Sequence, residues 1–158
     1  RGGASVLFVA TAQARDDEMR ERIDKHRAKR SPAWRTIEST RDLARALQAE
    51  PSARVTVIDC ATLWTSNVLL ADDNAATETM MREVEELLAW YRASQSELIV
   101  VSNEVGLGLV PDNALARAYR DLLGAVNRKF AETADEVFWL VAGLPVEIKS
   151  RAVRLEDL

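Results

Sequence analysis

The chain has one histidine, His26, and its neighbours make it the first candidate for chemistry. It sits in RDDEMRERIDKHRAKRSPAW, residues 15–34. An imidazole attacks phosphorus only when unprotonated, and surrounding positive charge favours the neutral ring. On a helix, Arg22, Lys29 and Arg30 stand three or four residues from His26 and share its face. The cluster therefore suits a phosphate-bearing partner. A solvated histidine is the plainer reading of the same residues, with Glu18–Arg22 and Glu21–Lys25 as ordinary i, i+4 ion pairs. A second candidate is Asp59, which closes the apolar run VTVID. A carboxylate in that place can hold Mg²⁺ directly or through water, although many strands end in an aspartate that only caps a loop. The third is Asn103-Glu104, which opens the loop NEVGLGLVP. Its asparagine either forms a turn or, with Glu104, contacts a ligand or the shell of a bound Mg²⁺. Gly106 and Gly108 there are read as conformational.

These residues need elements to place them. Acids lead the His26 stretch and bases end it, the charge order a helix dipole favours, and Pro32 stops it. Val6–Ala10, Val55–Cys60 and Leu98–Ser102 are short continuous apolar runs, which predict strands buried on both faces. Glu136–Val141 is expected as a fourth such strand, Pro145–Lys149 as an edge strand, and Trp34–Glu38 as a short extended segment. Helices are predicted over about 41–49, with Thr40 as cap and Leu43, Ala46 and Leu47 inward, and over 62–70, 77–94 and 113–133. In the last, Leu115, Tyr119, Leu122, Val126 and Phe130 form one apolar stripe. Asp72-Asp73-Asn74 reads as a loop and the C-terminal tail as frayed. Strands alternating with helices argue for a mostly parallel α/β sheet. Thr11–Gln13, Asp59–Thr62 and Asn103–Pro111 all follow strand C-termini, where open parallel sheets bind ligands.

Bulk properties exclude several classes. The length of 158 residues predicts one domain, and 47% hydrophobic with 29% charged residues is ordinary for a globular core. A net charge of −4 gives no general attraction to nucleic acid or membrane. One cysteine, Cys60, allows no internal disulfide and fits a reducing cytoplasm; with one histidine it also leaves no structural zinc set. Cys60 is read as a small buried residue. No apolar run approaches the roughly 20 residues of a membrane span. The four tryptophans are expected in core or interface, with Trp34 the one best placed to act as a ligand platform.

No glycine-rich GxxxxGK[ST] loop occurs, and Arg1-Gly2-Gly3 lacks the lysine. The short lead before a buried parallel strand predicts an upstream strand, phosphate loop and helix. The segments VLFVATAQARDDEMRERIDKHRAKRSPAWRTIE, VTVIDCATLWTSNVLL and VVSNEVGLGLVPDNALARAYRDLLGAVNRKFAETADEVFWLVAGLPVEIK closely resemble the bifunctional adenosylcobinamide kinase/adenosylcobinamide-phosphate guanylyltransferase family of cobalamin biosynthesis, in order and spacing.

The resemblance implies a P-loop NTPase-like (RecA-like) α/β fold, GTP or ATP as substrates with Mg²⁺, and a homotrimer. It implies phosphorylation of adenosylcobinamide, then transfer of GMP onto the product through a guanylylated histidine. By position in DxEMxxRIxxHxxxR that histidine is His26, and Asp59 falls on the acidic Walker B position. Lys25 sits where some relatives carry a second histidine. Two other expectations stand beside this one: a kinase or NTPase that never guanylylates, and a non-catalytic, truncated nucleotide-binding subunit.

Overall fold

A computed structural model describes residues 5–71 and 75–153. The predicted loop at Asp72-Asp73-Asn74, residues 1–3 and most of the charged tail lie outside them. Four strands form one parallel sheet: β1 (Val6–Ala10), β2 (Arg35–Glu38), β3 (Val55–Asp59) and β4 (Glu97–Val101), in the order β2-β1-β3-β4. The α/β reading holds, and the arrangement is that of a P-loop NTPase-like fold. β1 lies inside the sheet, and Leu7, Phe8, Val9 and Ala10 are all buried. Its registry aligns the strand ends: Ala10 pairs with Glu38 on one side and Asp59 on the other, and Asp59 pairs with Val101. With strands about 4.8 Å apart, Glu38, Ala10, Asp59 and Val101 form one row across the C-terminal edge.

The helices are α1 (Asp17–Ala28), α2 (Leu43–Gln48), α3 (Ala61–Ala71), α4 (Ala76–Ala93) and α5 (Ala114–Thr133). Trp64, Val68, Met80, Val84, Leu87, Leu122 and Val126 pack with Leu7, Val9 and Ile58 into one core. Glu83 lies inside that core, 1% exposed. Its carboxylate accepts from the Asp42 backbone N–H at 2.9 Å and from Trp64 Nε1 at 2.8 Å, and it faces the Arg41 guanidinium at 3.4 Å. The helix α2 therefore starts at Asp42, in the left-handed region at φ 51° with no side-chain cap, and not at Thr40. Inward residues of α2 are Leu43, Ala44 and Leu47.

Three expectations change. β4 is an edge strand, not one buried on both faces: Leu98 and Val100 pack on the core, whereas Ile99 is 50% and Val101 43% exposed. No described strand takes its outer side, and no described element covers that face. The run Glu136–Val141 supplies no fourth parallel strand. Its residues Phe138–Val141 (β5) pair antiparallel with Leu144–Glu147 (β6) in a separate hairpin. The turn explains this: Ala142 and Gly143 both have positive φ, 51° and 78°, which matches the twist of a tight antiparallel hairpin. On α5, Leu122 and Val126 are buried and Tyr119 and Phe130 half-buried, but Leu115 at the open first turn is 47% exposed.

Glu147 ties the hairpin to the turn that follows. It accepts from the Ser150 hydroxyl and backbone N–H and from the backbone N–H groups of Val137 and Lys149. The bonds from Ser150 above all, helped by those from Val137 and Lys149, hold its carboxyl down at about 2. A depressed folded pKa means that its contribution is present above the unfolded carboxylate value and is lost as pH falls through about 2. In Glu147→Gln, hydrogen exchange at Lys149 and Ser150 near neutral pH is expected to quicken, because an amide accepts less strongly. Unchanged protection would show that these bonds carry nothing.

Candidate functional site

The site is built on the strand ends. Thr11 follows β1 directly and is fully buried. Its hydroxyl donates to the Cys60 carbonyl at 2.8 Å and accepts from the Cys60 N–H at 2.7 Å, pinning the β1 and β3 exits together. Asn67 of α3 donates to the Thr11 carbonyl at 2.8 Å and approaches that of Thr40 at 3.3 Å. Tyr119 of α5 donates to the Thr62 carbonyl at 3.3 Å. Burial, reinforced by Cys60, pushes its phenol up to about 12, so it stays neutral in this contact.

Over this floor lies α1. Asp16 caps it by accepting from the Met19 N–H at 2.7 Å, and the helix buries none of its residues. A few contacts hold it. Arg27 pairs with Glu38 at the end of β2. The ring of Phe8, buried in β1, meets His26 at 6.3 Å, stacks with Trp34 at 6.1 Å and 19°, and carries the Arg30 guanidinium 4.0 Å above it. Trp34 thus packs on Phe8 with 38% of its surface open.

This docking brings His26 to Asp59, with Nδ1 3.3 Å from Oδ2. The histidine side chain is 57% exposed and the aspartate 21%. A cavity of about 240 Å³ opens in front of them, lined among others by Arg22, Arg30, Glu38, Met19 and Ile23. The three bases predicted to surround His26 separate in space. Arg22 lines the cavity but pairs with Glu18 at 2.7 Å, and Lys25 pairs with Glu21 at 2.7 Å, the ordinary helix pairs expected. Lys29 is the exposed C-cap of α1 and does not line the cavity. Arg30 does, and its Nε is buried with no acceptor among the described residues. An orphaned guanidinium donor beside a cavity is what a bound anion would satisfy. Burial lowers the Arg30 pKa from its ordinary value; Asp59 and Glu38 oppose that shift and Arg27 adds to it. An arginine stays charged nonetheless.

Asn103 and Glu104 do not join this cavity. Ser102 and Asn103 are held to α5 by Asn127, which accepts from the Ser102 hydroxyl at 2.6 Å and donates to the Asn103 carbonyl at 2.9 Å. Glu104 accepts from the Gly106 N–H at 2.8 Å and lines a second, polar cavity against α5. Thr11 lies in one of the three strand-end loops expected at the ligand edge, and its place in the floor of the site agrees with that. Sequence reasoning missed Glu38, Asn67 and Phe8. The first had a usable signal, since it ends a strand at the ligand edge; the others depend on contacts no local pattern shows.

Among the described residues no group of three or more His, Cys, Asp or Glu could hold a metal ion. Asp59 alone still fits a Mg²⁺ that arrives on a triphosphate, since such an ion takes one or two carboxylates and fills its remaining positions with phosphate and water. No helix of the described residues is long and apolar enough to cross a membrane.

A family model described as cobinamide kinase / cobinamide phosphate guanyltransferase matches residues 1–148. The chain belongs to this family. A Pseudomonas aeruginosa protein named bifunctional adenosylcobalamin biosynthesis protein CobP is 43% identical over 148 residues, 93% of this chain and 84% of the relative. The Escherichia coli and Salmonella typhimurium proteins named bifunctional adenosylcobalamin biosynthesis protein CobU are 35% and 37% identical. These alignments take in 92% and 91% of this chain, and 87% and 86% of the relatives.

Proposed function

We propose that this chain transfers GMP from GTP to adenosylcobinamide phosphate through a covalent intermediate on His26, and that the phosphorylation of adenosylcobinamide belongs to the same enzyme. The observation that carries the reading is the His26–Asp59 contact, 3.3 Å, at the mouth of a cavity shared with Arg30. A carboxylate facing Nδ1 keeps the proton on that nitrogen and leaves the Nε2 lone pair free. Nε2 attacks the α-phosphorus, the bond to the α–β bridging oxygen breaks, and pyrophosphate leaves. The ring then carries a phosphoramidate and positive charge, which Asp59 offsets across Nδ1. In the second step a phosphate oxygen of adenosylcobinamide phosphate attacks the same phosphorus and the P–N bond breaks. Adenosylcobinamide-GDP leaves and the neutral imidazole returns. Two easier displacements replace one difficult one. Arg30, with its unpartnered Nε, holds phosphate oxygens, and Arg22 joins once it parts from Glu18. When bound, Mg²⁺ near Asp59 would offset charge on the departing pyrophosphate.

The kinase half requires a phosphate loop, and residues 1–158 contain no GxxxxGK[ST]. A cytoplasmic location, carried by the single cysteine, and a trimer, carried by the resemblance alone, remain part of this proposal.

Incubation with GTP labelled at the α- or the γ-phosphate tests the transfer. Label from the α-position only, acid-labile and alkali-stable on the protein, is expected. Label from the γ-position, or none, would leave a kinase or an inert binder. Asp59 is then tested by Asp59→Asn, which keeps the shape and removes the charge. GMP transfer is expected to fall by roughly 10²-fold or more. Excess Mg²⁺ should not restore it if Asp59 acts by orienting His26; recovery in high Mg²⁺ would make metal binding its main task.

A further inference from the structure

The His26 cavity, about 240 Å³, has room for part of a nucleotide and none for a corrin ring. The bulk of the acceptor must rest on neighbouring surface. The second cavity, about 390 Å³, lies at the same edge of the sheet, three residues beyond Val101, the registry partner of Asp59. Its lining is Glu104, Gly106, Arg120, Asp121, Gly124 and Arg128. On α5, Arg120, Gly124 and Arg128 are spaced by four and rise one above another on a single face. Glycine inside a 20-residue helix weakens it relative to alanine. Packing does not demand glycine here: a Cβ on Gly124 would meet only Arg128 Nη1, at 3.8 Å, an ordinary contact. The missing side chain instead leaves the space between the two arginines open.

The charges around this opening cancel, two guanidiniums against two carboxylates. Arg120 spends one nitrogen on the Gly106 carbonyl at 2.8 Å, which fixes the loop rim. Arg128 makes no hydrogen bond or ion pair among the described residues. A pocket with donors and acceptors side by side and no net charge suits a neutral group that is both, and a primary carboxamide is one such group. Cobinamide carries such amides around its ring. Next to the pocket, Leu107, Leu109 and Val110 are 73%, 96% and 70% exposed, apolar surface for the ring face.

We propose that the cleft between α5 and the loop at 103–108 seats an amide-bearing edge of the corrinoid acceptor, with Arg128 donating to the amide oxygen and Glu104 or Asp121 accepting from its nitrogen. The proposal rests on the transferase reading above, and the test separates the two. Binding of adenosylcobinamide to the full chain is measured by equilibrium dialysis, and His26 labelling from α-labelled GTP is measured in parallel without corrinoid. Gly124→Leu fills the cleft and replaces a poor helix former, and Arg128→Gln removes the charged donor from an exposed position. Each is expected to raise the corrinoid Kd about tenfold, Arg128→Gln through the loss of one charged hydrogen bond and Gly124→Leu by occupying the cleft, while His26 labelling stays at the unsubstituted level. Gly124→Ala should bind nearly as the parent chain does. Unchanged Kd in both variants overturns the proposal. So does a change of oligomeric state with Kd intact, which would make the face an interface between copies, or a loss of binding matched by an equal loss of labelling. Absent labelling in the parent chain with Kd raised in the variants would sink the transferase reading and keep this one.

Discussion

His26→Ala is expected to abolish GMP labelling of the protein and to lower guanylyl transfer by at least about 10³-fold, because alanine carries no group that can take the GMP. Lys25 neighbours it in sequence but is paired with Glu21. The substitution is structurally mild. The side chain is 57% exposed, α1 buries no residue, and alanine is the better helix former. Thermal melting should therefore be nearly unchanged, and phosphorylation of adenosylcobinamide, which uses the γ-phosphate, should survive. That split between the two activities is the diagnostic result. Persistence of acid-labile label in His26→Ala would move the nucleophile elsewhere; loss of both activities would make His26 a binding residue for the nucleotide as a whole.

The largest stability effect is expected from Glu83, far from the chemistry. Glu83→Ala removes the acceptor of the Trp64 indole N–H and the Asp42 N–H and leaves Arg41 facing a void. Breaking a buried charge network from one side costs about 3–5 kcal/mol, which in a domain of this size is a fall in Tm of roughly 10 °C. The comparison is Glu86→Ala on the same helix. Glu86 pairs with Arg82 at 3.0 Å in the open, and its loss should cost at most about 0.5 kcal/mol. Similar melting of the two variants would mean that the buried carboxylate contributes no more than a surface one. The expected loss reaches the site as well, since Glu83 anchors α3 through Trp64, and α3 carries the Asn67 that holds Thr11.

The two effects mark how far the pattern of residues could be read. Glu83 was not singled out: it sits in a run of acids on a helix whose apolar stripe is Met80, Val84, Leu87 and Leu88, and it is the contacts to Trp64 and Asp42 that make a carboxylate a core residue there. The hairpin was misplaced for a related reason. FWLV has the composition of a central strand, and its partner was decided by the positive-φ turn at Ala142-Gly143 rather than by the strand's own residues. β4 was read as covered on both faces because an apolar run records what a strand prefers, not what lies over it.

Local chemistry in the sequence was enough for the alternation of strands and helices, the buried β1, the charge polarity of α1, and the placing of His26 and Asp59 beside strand ends. Each follows from interactions within a few residues. Tertiary structure alone decided that His26 and Asp59 meet, that Arg30 rather than Lys29 faces the cavity, and that Glu38 joins their row while Glu104 falls to a second cleft. Those outcomes depend on strand registry and on the rotation of α1 about its axis. Both are set by Phe8, the Arg27–Glu38 pair and the Thr11–Cys60 clasp, contacts between residues too far apart in the chain for any local pattern to record.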